Sequence, residues 1–209
     1  MNSKVTHINV GNLAENCWFL ANEGTKEAVV IDPGAEPDRI CAAAEKHGWK
    51  ITAILLTHGH IDHMGACESL RTELGVKVYA LTEEEDLLLD AKKNLSVFIE
   101  RKVVTFEPDE LLRDGQELTL AGMKIQVIHT PGHTPGGCSY YVADAGCVFS
   151  GDTLFAESVG RSDFPGGSTS ALVRAVKEKL FLLPDDTLVC PGHGEETTIG
   201  HEKKYNPFV

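Results

Sequence analysis

The sequence has 209 residues and a formal net charge of −12, with 42% hydrophobic and 24% charged residues. This composition is typical of a globular protein with a sizeable core, and the length favours a single domain over residues 1–209. The acidic balance argues against nucleic acid or an anionic membrane as a partner, because both attract lysine and arginine.

The cysteines and the apolar segments indicate the compartment. The six cysteines are scattered without a CxxC pair, and the first residues, MNSKVTHINV, lack the apolar stretch of a signal peptide. No apolar run approaches the ~18 residues that a membrane-spanning helix needs. We therefore expect a cytoplasmic protein with no membrane partner.

The first third of the chain predicts short strands bounded by Gly, Asn or Pro, in KVTHINV, NCWFLAN and EAVVIDPG. These strands suggest an antiparallel meander. A helix over EPDRICAAAEKHGWK then leads into the apolar strand ITAILLTH. The pattern repeats with a helix in HMGACESLRTELG and a strand in VKVYAL, so helices are expected to cover this sheet.

The acidic segment TEEEDLLLDAKKN predicts a capped helix. Thr82 and Glu85 have the spacing of a capping box, and the acidic residues lie near the positive end of the helix dipole. We interpret this run of charges as a solvated helix face.

The second half predicts a further set of strands, in KVVTFEP, QELTLAG, MKIQVIHTPGH, GCSYYVAD and GCVFSGD. An amphipathic helix over STSALVRAVKEKLFLLP and a strand in DTLVCPGHG follow. Two runs of strands, each followed by helices, predict the α/β (α+β) class. The expected architecture is a four-layer αββα sandwich of two mixed β-sheets flanked by helices.

Polar residues that suit chemistry fall at the ends of these predicted strands. They are Asp32, His58, His133, Asp152 and His193. Loops at strand ends are where a rigid scaffold presents functional groups. Because neutral imidazoles and carboxylates bind zinc and similar divalent ions, the pattern indicates a metal site.

The segment HGHIDH concentrates candidate ligands in one loop. His58 and His60 are two residues apart and point the same way if the backbone is extended. Asp62 and His63 begin the next helix, where adjacent residues diverge by about 100 degrees and so reach a different centre. One short loop can therefore serve two metals.

HGHIDH, TPGHTPGG, SGDTLF and PGHG together resemble the metallo-β-lactamase fold superfamily, including its HxHxDH motif. By matching position, the resemblance implies two sets of metal ligands joined by one bridging carboxylate. The first set is His58, His60 and His133, the second is Asp62, His63 and His193, and the bridge is Asp152. The resemblance also implies that Asp32 orients a ligand histidine or its loop, and that the fold is the four-layer sandwich.

Within that superfamily, GDTLFAESVGRSDFPGG and PGHGEETTIGHEKKYNPF resemble the short type II glyoxalases, or hydroxyacylglutathione hydrolases. This implies a small-molecule thioester substrate, in particular a glutathione conjugate such as S-lactoylglutathione. A pair of divalent metals, with zinc the first choice and iron or manganese open, lowers the pKa of bound water towards ~7 and so provides a bridging hydroxide as nucleophile. Asp62 and Asp152 are the expected catalytic carboxylates, because they bind and balance the metals.

Two rival activities stay open. Persulfide dioxygenases resemble this family, share a GR-D-F loop and use one iron, which here would be held by His58, His133 and Asp152. A broader thioesterase, lactonase or β-lactamase is the other alternative. The FPGG continuation and the complete second ligand set favour the hydrolase, while the oligomeric state is not predicted.

Arg161, in VGRSDFPGG, is a candidate substrate-binding residue. Its loop is rich in glycine and begins shortly after Asp152, so it could fold over the metals. A planar guanidinium binds a carboxylate at two points, and glutathione conjugates carry two carboxylates. The alternative is an ordinary surface turn in which Arg161 forms a local ion pair.

Overall fold

Two six-stranded sheets make up most of the fold in a computed structural model that describes residues 2–209. The strands of the first sheet lie side by side in chain order: β1 (Ser3–Val10), β2 (Glu15–Asn22), β3 (Glu27–Ile31), β4 (Lys50–Leu55), β5 (Lys77–Leu81) and β6 (Glu110–Leu112). The second sheet contains β7 (Glu117–Leu120), β8 (Met123–His129), β9 (Cys138–Val142), β10 (Cys147–Gly151), β13 (Leu188–Pro191) and β14 (Thr197–Thr198). A small hairpin pairs β11 (Leu154–Phe155) with β12 (Ser158–Val159).

Helices connect and cover these strands. They are α1 (Pro37–Lys46), α2 (Ile61–Met64), α3 (Cys67–Leu74), α4 (Glu85–Leu88), α5 (Ser96–Ile99), α6 (Thr169–Glu178) and α7 (Ile199–Tyr205). Short 3₁₀ turns occupy Thr82–Glu84, Ala143–Ala145 and Leu180–Leu182. Within residues 2–209, no helix is long and apolar enough to cross a bilayer.

Both sheets are mixed. In the first, β1, β2 and β3 form the predicted antiparallel meander, and β3 to β6 run parallel to one another. In the second, the pairs are antiparallel except for β10 with β13. Parallel neighbours direct their carboxyl ends to the same edge of a sheet, which brings the loops after them together.

Apolar side chains fill three layers between the elements. Phe19 of β2 belongs to the same cluster as Ile40 of α1, whereas its neighbour Trp18 clusters with Val127 of the second sheet. A third cluster joins Val148 of β10 to α6 and α7. Because β2 is covered on both faces, its sequence is almost continuously apolar rather than alternating. These layers confirm the four-layer αββα sandwich.

The strand predicted for KVVTFEP is wrong, because the chain forms a loop there and the next strand, β6, begins at Glu110. Side chains satisfy the backbone in place of a sheet. Asn94 Nδ2 donates to the Val104 carbonyl at 2.8 Å, and the Val104 amide donates to Ser96 Oγ at 3.1 Å. A backbone that is bonded in this way is not free to extend a ladder.

The capping box predicted for Thr82 and Glu85 is also wrong. Thr82 starts a 3₁₀ turn, and its hydroxyl donates to the Leu112 carbonyl of β6 rather than to a helix end. The interpretation of this run as a solvated face fails for Glu84, which is only 1% exposed. Its carboxylate accepts a hydrogen bond from the amide of Gly59, which lies between His58 and His60.

Candidate metal centre

The predicted ligands gather where five loops meet. Asp32 directly follows β3, His58 follows β4, and His133 lies in the loop after β8. Asp152 follows β10 and His193 follows β13. The remaining candidates lie just beyond His58, at and within the short helix α2. Loop segments that are far apart in sequence thus present imidazoles and carboxylates to one place.

The first cluster consists of His58, His60 and His133. One ring nitrogen of each lies within 4.8 Å of the others, and the three residues are 2%, 3% and 4% exposed. His60 Nδ1 lies 3.0 Å from His133 Nε2. These residues converge as the resemblance implies for one metal.

The second cluster consists of Asp62, His63 and His193, whose candidate ligand atoms also lie within 4.8 Å of one another. Asp62 Oδ2 is 3.4 Å from His193 Nε2 and 3.9 Å from His63 Nε2. His63 is fully buried, whereas the side chain of His193 is 27% exposed. This cluster therefore lies nearer to solvent on its His193 side.

Asp152 lies between the two clusters. Its Oδ1 is 3.5 Å from His63 Nε2 of the second cluster, and its Oδ2 is 3.5 Å from His133 Nε2 of the first. Oδ2 also lies 3.9 Å from His193 Nε2 of the second cluster, so the Asp152 carboxylate is close to candidate ligand atoms of both clusters.

Unpaired buried atoms show that the centre fits metal ions. His58 Nε2, His63 Nε2 and Asp152 Oδ1 are buried without a hydrogen-bond partner among residues 2–209. Leaving such groups unpaired costs about 1–3 kcal/mol each, so a native protein rarely buries them without a ligand. A β-carbon at Gly192 would lie 2.4 Å from Asp152 Oδ1, so the glycine lets the backbone approach the carboxylate.

Asp32 holds one histidine from each cluster. Its Oδ2 accepts from His63 Nδ1 at 3.0 Å and also from the Thr57 hydroxyl, whose oxygen lies 3.1 Å from His58 Nδ1. Its Oδ1 accepts from the Thr57 amide at 2.7 Å. These contacts at Nδ1 fix the orientation of both rings, so the Nε2 atom of each ring points towards the centre. Although Asp32 also groups geometrically with His58 and His63, its oxygens are already used as acceptors.

The main chain holds the third ring. His133 Nδ1 donates to the Arg161 carbonyl at 2.7 Å, which leaves Nε2 as the bare nitrogen. Arg161 thus contributes to the centre through its backbone oxygen, a role that the sequence does not indicate.

Burial and neighbouring charges set the protonation states. Burial, with the other imidazoles, lowers the pKa of His58 well below its usual range, and burial lowers the pKa of His60 to about 3. Both rings are therefore neutral at pH 7, as metal binding requires. Burial alone would raise the pKa of Asp62, but the adjacent His63 and other imidazoles outweigh it and keep the pKa below the ordinary range.

Two buried acids near the centre escape sequence reasoning. Glu15 is fully buried 3.9 Å from His63 Nδ1, and burial raises the pKa of its carboxyl group. Glu84 accepts hydrogen bonds from the backbone amides of Gly59 and Gly136. In the sequence, both residues are recognisable only as acids. Glu15 begins a strand and Glu84 lies in an acidic run, and neither pattern shows that the carboxylate is buried.

The predicted substrate-binding group, the Arg161 guanidinium, is exposed and already paired. Its Nε and Nη2 donate to Asp163 Oδ1 and Oδ2 at 2.9 and 2.8 Å, and it lies 4.4 Å from the centre of the Phe164 ring. Phe164 in turn meets the His60 ring edge-on at 5.3 Å between centroids. The loop therefore lies beside the first cluster, and the guanidinium is paired with Asp163.

The sandwich and its paired clusters define a protein that binds divalent metal. Residues 10–193 match the metallo-beta-lactamase superfamily, and the chain belongs to this superfamily. The hydroxyacylglutathione hydrolase GloC of Haemophilus influenzae is 35% identical over 97% of this chain and 96% of its own length.

Solved structures extend the comparison. The crystal structure of the BLEG-1 B3 metallo-beta-lactamase has a TM-score of 0.93 and 38% identity, covering 98% of this chain and 99% of that one. TTHA1623 in a di-iron-bound form has a TM-score of 0.86 and 38% identity, with 98% and 100% covered. Membership of the superfamily and the clusters together imply a metal-dependent hydrolase.

Proposed function

We propose that this protein is a dinuclear metal hydrolase that cleaves thioesters of the hydroxyacylglutathione type. The convergence of two complete ligand sets on Asp152, whose carboxylate lies 3.5 Å from a histidine nitrogen of each set, carries this proposal. The similarity to the Haemophilus influenzae hydroxyacylglutathione hydrolase over nearly the whole chain supports the substrate class.

We assign one metal to the first cluster and one to the second, with Asp152 shared between them. When bound, such a pair of divalent ions supplies an activated water and polarises a substrate carbonyl. Asp62 and Asp152 contribute negative charge that only partly offsets two divalent ions. The centre therefore attracts an anionic substrate within a chain of net charge −12.

The protein residues position and shield this chemistry. The Thr57 hydroxyl, Asp32 and the Arg161 carbonyl hold the rings of His58, His63 and His133 respectively. Little reorganisation is therefore needed during reaction. Phe164 covers the side of the first cluster next to His60 with an apolar ring, which limits the access of bulk water.

A thioester suits a site of this composition. A thiolate with a thiol pKa of ~8.5 leaves without protonation by a strong acid. The histidines of the two clusters would be committed to the metals or to fixed acceptors, so they are poor proton donors. Thioesters are therefore favoured over amides and ordinary esters, whose amine and alkoxide leaving groups need a proton donor.

A second candidate, β-lactam hydrolysis, is favoured by the similarity to the BLEG-1 B3 metallo-beta-lactamase. The same centre would polarise a lactam carbonyl, whose strained ring makes the amide easier to open. The choice between these substrates depends on the surface around the centre rather than on the ligand set.

The test loads metal-free protein with zinc, iron or manganese in turn, because imidazole and carboxylate ligands suit all three and a di-iron relative structure exists. We expect two metals per chain by elemental analysis and equal release of lactate and glutathione from S-lactoylglutathione. Oxygen uptake with glutathione persulfide, without lactate release, would favour the dioxygenase. Hydrolysis of a chromogenic cephalosporin alone would favour the lactamase.

A further inference from the structure

Glu84 lies between two loops that carry candidate ligands. It ends the 3₁₀ turn after β5, and its side chain is almost completely buried. Its Oε1 accepts from the Gly59 amide at 2.9 Å, and its Oε2 accepts from the Gly136 amide at 2.8 Å. One carboxylate therefore joins two segments that are far apart in sequence.

Both hydrogen-bond donors are next to ligands of the first cluster. Gly59 separates His58 from His60, and Gly136 lies in the same TPGHTPGG loop as His133. The second cluster has supports of its own, because the Asn94 carbonyl accepts from the first amide of α2 at 2.9 Å and Asp32 holds the His63 ring. The carboxylate of Glu84 thus acts on the spacing within the first cluster.

The two glycines fit closely against the segment that contains Glu84. A β-carbon at Gly136 would lie 2.2 Å from the Glu84 amide nitrogen, and one at Gly59 would lie 2.7 Å from the Leu88 side chain. A side chain at Gly136 would clash with the backbone of the turn, and one at Gly59 would displace leucine side chains of α4. The turn and α4 therefore pack closely against both loops, and the glycines make this close approach possible.

Burying a carboxylate at this position costs free energy, which indicates that its two acceptor oxygens are needed there. Burial raises the pKa of Glu84 to about 7, although the Gly59 amide, the Thr134 side chain and the Gly136 amide oppose this effect. An apolar side chain would fill the space without that cost but would leave both amides unpaired. An amide side chain would offer only one oxygen, so one loop would face an NH₂ group.

We propose that Glu84 is a positioning residue that sets the distance between His58 and His60 on one loop and His133 on the other. It does so by accepting the amides of Gly59 and Gly136. The inference rests on the proposed assignment of the first cluster to a metal, and it is independent of the substrate.

The experiment compares Glu84→Gln with Glu202→Gln. Glu202 is a matched control because it is equally buried and accepts from the Glu157 amide, Thr197 and Asn206, away from the first cluster. Metal-free proteins are titrated with Co²⁺, read by visible absorption and by competition with a chelator. We expect one of the two Co²⁺ affinities to fall about 10- to 100-fold in Glu84→Gln, with neither falling in Glu202→Gln.

A His193→Ala background, which weakens the second cluster, identifies the affected metal. There the Co²⁺ that remains should lose affinity, and change its absorption spectrum, when Glu84→Gln is added. Glu84→Asp keeps both acceptors on a shorter side chain and should restore part of the affinity. Two unchanged affinities, or an equal fall of both, would overturn the proposal.

The metal-free state separates positioning from folding. Circular dichroism and melting of the metal-free proteins should show Glu84→Gln folded, with a loss of melting temperature similar to that of Glu202→Gln. Unfolding of both Glu84→Gln and Glu84→Asp would assign Glu84 a role in folding and overturn the proposal. Failure of the unchanged protein to bind two Co²⁺ ions would instead refute the dinuclear centre on which the inference rests.

Discussion

The buried metal centre and the exposed loop of residues 161–164 lie side by side, but different interactions hold their side chains in place. In the centre, His58, His63 and His133 are 0–4% exposed, and the Nδ1 of each has a fixed acceptor. In the loop, the side chains of Arg161 and Asp163 are 67% and 68% exposed and are held by each other.

This difference separates the chemistry from the choice of substrate. A buried ring with one fixed acceptor cannot turn without losing a hydrogen bond in a dry environment, which costs about 1–3 kcal/mol. An exposed ion pair contributes only about 0–1 kcal/mol and exchanges readily. The centre is therefore built for one geometry, while the loop can adapt to the molecule that it meets.

The largest effect is expected from Gly192→Ala, which tests the rigidity of the centre. The added methyl group would lie 2.4 Å from Asp152 Oδ1 and 2.5 Å from His63 Cε1, and both atoms belong to buried, constrained groups. We expect loss of at least one metal per chain and a fall in thioester hydrolysis of about 1,000-fold. Elemental analysis and lactate release measure the two effects.

Gly194→Ala is the control for that change because it lies on the same loop and has nothing within 4 Å of its added carbon. Its positive φ of 78° makes alanine strained by about 1 kcal/mol, which affects stability but not the space around Asp152. Full metal content and activity in Gly192→Ala would show that the centre can rearrange around an added methyl group. The centre would then be no more rigid than the loop of residues 161–164.

A smaller effect is expected from Asp32→Asn. Three donors reach the Asp32 carboxylate, from the Thr57 amide, the Thr57 hydroxyl and His63 Nδ1, and an asparagine can accept at only one oxygen. We expect both metal affinities to fall about 10- to 100-fold, measured by chelator competition. Asp114→Asn, which removes a partner of Lys179, should change neither affinity. A fall in one affinity only would show that Asp32 serves a single cluster.

The sequence predicts the centre better than its supports, for a physical reason. HGHIDH places its candidate ligands on one extended turn and the start of α2, so local geometry determines where they point. Glu84 reaches its partners only because β5 places the following turn between two distant loops. A run such as TEEED does not show which of its acids faces inward, since that depends on packing.

The fold shows the same division between local and distant causes. The meander, α1 and five strands of the second sheet, β7 to β10 and β13, could be predicted because apolar periodicity and breakers act locally. The two-residue strand β14 is too short to give such a pattern. KVVTFEP has suitable strand residues, but its Val104 is bonded by the side chains of Asn94 and Ser96. These bonds arise from a loop that returns on itself, which a pattern of β-branched residues does not reveal.

The smallest effect is expected from substitutions of Arg161 and Asp163. They test whether the exposed loop of residues 161–164 adapts to the substrate. If Arg161 exchanges Asp163 for a substrate carboxylate, Arg161→Ala should raise KM for S-lactoylglutathione about two- to five-fold and leave kcat nearly unchanged. This is less than a buried bidentate contact would give, because the guanidinium is largely exposed and screened.

Asp163→Asn should have the opposite effect to Arg161→Ala, because it releases the guanidinium from its present partner. If Arg161 binds the substrate, this variant should lower KM for S-lactoylglutathione by a similar factor. A small neutral thioester has no carboxylate to bind, so its KM should change with neither substitution. If the pair only shapes the loop, both variants should disturb both substrates alike. In that case the stacking of Arg161 on Phe164, beside His60, would link the loop to the centre instead of to the substrate.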